Sequence, residues 1–136
     1  MTATISFIVP VQEEIREVEA MMRAQADHYH PELETAIDLL ISAGGKRIRP
    51  ALTILAGKML GADHDRIIFM ATALEMLHTA TLVHDDLIDH SLLRRGIPTL
   101  NSKWSTGATV LTGDFIFSRA AKLASDTDLV PVMKLF

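Results

Sequence analysis

Three carboxylates stand close together in an otherwise apolar stretch, HTATLVHDDLID: Asp85, Asp86 and Asp89. At roughly 100° per residue of an α-helix, Asp89 lies about 40° from Asp85, and Asp86 about 100° away, so Asp85 and Asp89 share a face and can grip one ion while Asp86 flanks it. Carboxylates on the inner side of a helix repel one another and are costly to desolvate. A hard divalent cation such as Mg²⁺ is satisfied by one or two carboxylates plus the phosphates of a substrate, so the spacing suggests metal-bridged phosphate. A helix end reaching solvent, where the aspartates are merely hydrated, is the alternative that this motif alone leaves open.

A second group, GGKRIRP, sets Lys46, Arg47 and Arg49 directly after Gly44 and Gly45, between two apolar segments. Arginine binds phosphate through its planar fork and lysine as a point charge. A third group, Arg94 and Arg95 with Gly96, follows the aspartates. Either basic loop alone is what a solvated turn looks like. Their joint occurrence is different, because a metal-loading carboxylate site flanked by two basic loops is what a pair of diphosphates requires.

His78 lies seven residues before Asp85, about 20° away on the helical wheel, so it faces the same side and can donate to a phosphate. A hydrogen-bonded core histidine is the other reading. His84 adjoins Asp85, and a His-Asp doublet is also the heart of HD-type metal phosphohydrolases. That rival needs further metal-spaced histidines, whereas His28, His30, His64 and His90 all read as surface residues.

The elements that must position these groups are helical. Val11, Ile15, Val18 and Met22 form one stripe, and Pro31 opens a second helix through Leu33, Ala36, Ile37, Leu40 and Ile41. Pro50 opens a third that ends at Gly61, and Asp63 caps a long fourth helix running to Ile88 or Asp89. A polar loop, RRGIPTLN, leads to a fifth helix from about Ser102 to Ala124. Asp126 and Asp128 look like caps for a sixth, of which only VPVMKLF follows. No strand pattern stands out, so the class is all-α, an antiparallel helical bundle with short loops.

Composition agrees. The 136 residues fit one domain, and 49% apolar against 22% charged residues is ample for a packed core. With 13 Lys plus Arg against 17 Asp plus Glu, the net charge of -4 argues against a general nucleic-acid binder. The absence of cysteine excludes thiolate chemistry. No run of about eighteen apolar residues suggests a membrane span, and the N-terminus, MTATISFIVP, lacks the basic lead of a signal peptide. A cytoplasmic protein is expected.

In order and spacing, GGKRIRPAL, LEMLHTATLVHDDLID with SLLRRGIPTLN, and GDFIFSRA resemble the landmarks of the trans-type polyprenyl diphosphate synthases, over roughly residues 35–125. The chain looks like the N-terminal portion of such a prenyltransferase, with 1–136 forming part of a single isoprenoid synthase helical domain. The resemblance implies an isopentenyl diphosphate site at Lys46, Arg49, His78 and Arg95. It places the first aspartate-rich, Mg²⁺-binding motif at Asp85, Asp86 and Asp89, and an allylic diphosphate contact at Arg94. Arg47 is left as supporting charge. The implied reaction ionises the allylic carbon–oxygen bond beside Mg²⁺ and Arg94, adds the alkene of isopentenyl diphosphate, and loses a proton. A homodimer is also implied.

Product length should be read along the fourth helix, where Leu74, Leu77, Ala80 and Thr81 would border the growing tail. Each helical turn advances about 5.4 Å, close to one isoprene unit, and small Ala80 and Thr81 leave the pocket open, so a product of about twenty carbons or longer is expected. Ordinary helix packing is the alternative. The family's domain is much longer and has a second aspartate-rich motif facing the first, which Asp126 and Asp128 do not reproduce. A fragment of a full synthase, a subunit completed by a partner, and a remnant that only binds diphosphate are therefore all open. A half bundle should also expose apolar helix faces and self-associate.

Overall fold

The computed structural model describes residues 7–136; residues 1–6, which include most of the stretch read against a signal peptide, lie outside them. The architecture is the expected helical bundle. A 3₁₀ turn, Val9–Val11, leads into α1 (Gln12–Ala24), whose Ile15, Val18 and Met22 are buried at the helical period. Glu13 and Glu14 in its first turn and Arg23 in its last complement the helix dipole. In α2 (Pro31–Ser42), Pro31 occupies the first turn and His30 Nδ1 accepts from Glu32 N.

Helix α3 (Ile48–Met59) starts two residues before Pro50, which still sits in the first turn, where its missing N–H costs no intrahelical bond. The long α4 (His64–Ile88) begins as expected, with Asp63 Oδ2 accepting from Arg66 N at 3.2 Å. By length and composition α4 could cross a membrane, but half of its most apolar stretch is buried in this fold. It packs along α6 and against α3 and α1, burying Ile67, Ile68, Ala71, Ala73, Met76, Ala80 and Val83.

Three local expectations fail. The RRGIPTLN segment contains a small antiparallel hairpin, β1 (Leu93–Arg94) with β2 (Ile97–Pro98), joined by Arg95 and Gly96. Both turn residues have positive φ, +51° and +76°, the signature of a tight two-residue hairpin turn. Strands of two residues carry no alternation to read. The single fifth helix is really two, α5 (Leu100–Lys103) and α6 (Thr106–Ser125). Trp104 is extended, and Ser105 restarts the helix by accepting from Ala108 N. Finally, Asp126 closes α6 instead of opening a helix, and α7 (Val130–Leu135) follows Leu129 with no side-chain cap.

Helix α6 meets a side chain of α4 at Gly113, where a Cβ would run into the His84 imidazole. His84 Nε2 lies 3.2 Å from the Val110 carbonyl and 3.4 Å from Asp114 Oδ1, so it locks the two helices. Leu52, Met59, Leu60, Ile88, Leu111, Phe117 and Leu135 remain exposed, in keeping with the expected open apolar faces.

Candidate functional site

The loop between α2 and α3 makes an unusual backbone path. Gly44 has φ +82° and Gly45 φ +154°, and a Cβ on Gly45 would lie 3.1 Å from Arg47 Nη1 and 3.3 Å from Arg95 Nη1. Arg47 itself has φ +53°, a left-handed conformation costing a non-glycine residue about 1–3 kcal/mol unless its surroundings hold it. They do. Its Nε donates to Glu19 Oε1 (3.0 Å), its Nη1 to Glu75 Oε1 (3.1 Å) and its Nη2 to the Ile41 carbonyl (3.1 Å). The side chains of Arg47 and Glu75 are only 10% and 7% exposed, so Arg47 points into the protein while Lys46 and Arg49 stay at the surface.

These two line a cavity of about 370 Å³, together with His78, Leu82 and Asp86 from α4 and Arg94 and Arg95 from the hairpin. Every residue selected for diphosphate binding, Lys46, Arg49, His78, Arg94 and Arg95, is therefore brought to one place. Arg95 Nη1 donates to the Gly44 carbonyl at 2.8 Å and fastens the hairpin to the glycine loop. The hairpin is itself anchored by Thr99 Oγ1 and Asn101 Nδ2, which both donate to the Ser91 carbonyl (2.8 and 2.9 Å). Partial burial, then the Arg49 charge, push the His78 pKa down, with Arg95 and Arg94 adding to this and Glu75 opposing it. The imidazole is accordingly neutral at pH 7 and presents one N–H donor.

The three aspartates divide. Asp86 is buried and forms a bidentate pair with Arg94, Oδ2 to Nε at 2.8 Å and Oδ1 to Nη2 at 2.7 Å. Asp85 and Asp89 are exposed one turn apart, and neither is in an ion pair among the described residues. Two free carboxylates on one face suit a hard cation whose remaining positions are filled by water and phosphate. Among the described residues, no three His, Asp or Glu side chains come together as a closed metal cage.

The other residues are scattered. Leu74 and Leu77 are half-buried and Thr81 is exposed, whereas Ala80 is buried, and none of the four lines the cavity. His84 interlocks α4 with α6 and gathers no further histidine, which removes the basis of the phosphohydrolase rival. His28, His30, His64 and His90 are exposed as expected, His64 pairing with Glu17 at 2.8 Å. Glu19, Glu75, Thr99 and Asn101 were not foreseen. Of these only Glu75, a carboxylate one turn before His78 in an apolar helix, carried a visible signal.

The polyprenyl synthetase family model matches residues 30–136. The chain belongs to the polyprenyl synthetase family. It is 38% identical to a prenyl transferase of Synechocystis sp. across 99% of its own length and 43% of that protein's. To heptaprenyl diphosphate synthase component 2 of Geobacillus stearothermophilus it is 47% identical, over 75% of this chain and 32% of the relative. Among solved structures, a decaprenyl diphosphate synthase from Rhodobacter capsulatus superposes with a TM-score of 0.91 at 36% identity, covering 98% of this chain and 41% of that one. A polyprenyl synthase from Caulobacter crescentus, complexed with calcium and isoprenyl diphosphate, superposes at 0.86 with 33% identity, covering 98% of this chain and 40% of that one. The chain thus spans less than half the length of these polyprenyl synthetase relatives. The matched stretch includes the whole cavity lining and leaves out α1.

Proposed function

We propose that this chain carries the diphosphate-binding part of a prenyl-transfer site, one that condenses an allylic diphosphate with isopentenyl diphosphate to lengthen a polyprenyl diphosphate. The observation that carries this reading is the convergence of Lys46, Arg49, His78 and Arg95, from three separate segments, on one cavity beside the Asp86–Arg94 pair. Relatives named as polyprenyl diphosphate synthases and the Caulobacter complex with isoprenyl diphosphate support it.

In this reading Lys46, Arg49, Arg95 and the His78 N–H bind the isopentenyl diphosphate and aim its alkene, exchanging solvent for fixed donors. Asp86 holds the Arg94 guanidinium toward the allylic diphosphate. Asp85 and Asp89 would hold Mg²⁺, which supplies neutralisation of the leaving diphosphate. The allylic carbon–oxygen bond breaks, the alkene forms the new carbon–carbon bond, and a proton leaves the resulting cation.

The tail would lie along Leu74, Leu77 and Thr81, which share a face of α4, with Ala80 packed off that face. A homodimer fits the exposed apolar helices. A second reading, partner-dependent action or diphosphate binding alone, is favoured by the contrast between the converged cations and the carboxylates, since among the described residues no three acidic or histidine side chains gather as a metal site.

The test is incorporation of labelled isopentenyl diphosphate into extractable product with Mg²⁺ and an allylic diphosphate, against an Asp85→Asn, Asp86→Asn control, with circular dichroism on both. Product that disappears in the control supports transfer, and its length tests the tail path. A folded chain that binds pyrophosphate yet makes nothing selects the second reading.

A further inference from the structure

Arg47 is the one cation of the glycine loop whose side chain is buried, and it lines the inner wall of the cavity beside Glu75, a buried carboxylate to which the reading above gives no role. Their contact links distant parts of the chain. Glu19 belongs to α1, Ile41 to α2 and Glu75 to α4, and the Arg47 fork bonds all three at 3.0–3.1 Å. The Arg47 backbone has φ +53°, so the fork holds a conformation the residue would not adopt unaided. On either side, Lys46 and Arg49 border the cavity.

We infer that Arg47, clamped by Glu75 and Glu19, is the positioning residue of the diphosphate site: its guanidinium is spent on protein acceptors at the inner wall and fixes the left-handed loop so that Lys46 and Arg49 face the anion. This rests on the diphosphate reading above. The clamp also accounts for why three adjacent cations can coexist, since two carboxylates neutralise the inner one and leave the outer two free.

Simple electrostatics and positioning predict opposite signs, which makes the idea testable. Glu75→Gln removes a negative charge at the cavity wall, and charge alone would tighten pyrophosphate binding. Loss of the clamp should instead raise the Kd for inorganic pyrophosphate about tenfold by calorimetry, with Arg47→Lys, which keeps charge but not the fork, behaving alike. Glu19→Gln, at a more exposed carboxylate, serves if Glu75→Gln fails to fold and should raise the Kd about threefold. Circular dichroism melts report stability separately, because a purely structural pair would lower the Tm without altering the Kd of the folded chain. Limited trypsin digestion without ligand should cut after Lys46 and Arg47 faster in both glutamine variants. Unchanged or tighter binding in folded Glu75→Gln and Glu19→Gln, or unchanged protease protection, overturns the inference. Failure of the diphosphate reading looks different: the native chain binds no pyrophosphate, or Arg49→Ala binds it as well as the native chain does, while the protease result still reports the clamp.

Discussion

Asp86 and Arg94 meet across the end of α4 through two parallel hydrogen bonds of 2.8 and 2.7 Å, joining the buried member of the aspartate motif to the first strand of the hairpin. The Asp86 side chain is 10% exposed and that of Arg94 36%, so the two ends differ in how much solvent can relieve a lost partner. The Arg94 pKa is raised, first by its bond to Asp86.

Arg94→Ala should therefore cost more than Asp86→Ala, about 1–3 kcal/mol against under about 1 kcal/mol, because it strands a buried carboxylate while the converse change leaves an arginine that can reach water. Urea unfolding followed at helical wavelengths measures both. Equal costs would mean that the pair is no tighter than a surface contact.

Direct anion contacts should behave differently from the clamp around Arg47. Lys46→Ala and Arg49→Ala should each weaken pyrophosphate binding about tenfold, consistent with loss of a charge-assisted bond, and leave the Tm nearly unchanged, since both side chains are exposed. Binding should also weaken as salt is raised. Salt-insensitive calorimetric titrations would count against a cationic site.

His78 sets a pH dependence whose sign follows from its lowered pKa. The folded chain takes up this proton less readily than the unfolded chain, so stability falls as pH drops below about 6.5 and flattens once the depressed folded value is passed. His64 works the other way: hydrogen bonding to Glu17 raises its pKa, so its contribution is present at low pH and fades as pH rises through the raised value. Replacing His78 with Gln should remove the acid-side loss. A bound diphosphate should also draw a proton onto His78, seen as net proton uptake when the titration is repeated in buffers of different ionisation enthalpy.

At the α4–α6 contact, Gly113→Ala should destabilise the chain by about 1–3 kcal/mol by pushing the His84 ring aside. His84→Ala added to it should recover part of that loss. Additive losses in the double-mutant cycle would show that the ring already has room to move.

Val110 and Phe117 lie two turns apart on α6, 36% and 51% exposed, on either side of the exposed Asp114. Sedimentation should detect concentration-dependent association, and Phe117→Lys should shift the chain toward monomer. A native chain that is monomeric at all concentrations would remove this face from the dimer proposal.

Much of the fold was legible because helices announce themselves locally. Pro31 and Asp63 stand at the starts their chemistry favours, and the apolar period of α1, α2 and α4 needs no distant information. What escaped was short or punctuated. The Arg94–Ile97 hairpin rests on two positive φ values, and the α5–α6 break rests on one serine accepting a single hydrogen bond.

The site follows the same division. Residue types and order pointed to the loop cations Lys46, Arg47, Arg49, Arg94 and Arg95 and to His78, because phosphate recognition demands clustered cations; the family resemblance narrowed the set to Lys46, Arg49, His78, Arg94 and Arg95, and these residues do converge. Which cation faces inward was undecidable from the chain, since Lys46, Arg47 and Arg49 present the same charge side by side. Tertiary structure decided it, by bringing Glu19 from 28 residues before Arg47 and Glu75 from 28 residues after it to the same guanidinium. It likewise gave Asp86 to Arg94 and left Asp85 and Asp89 open. Burial makes an unpartnered charge costly, so the packing of helices distant in sequence determines which charges are paired and which remain free to bind.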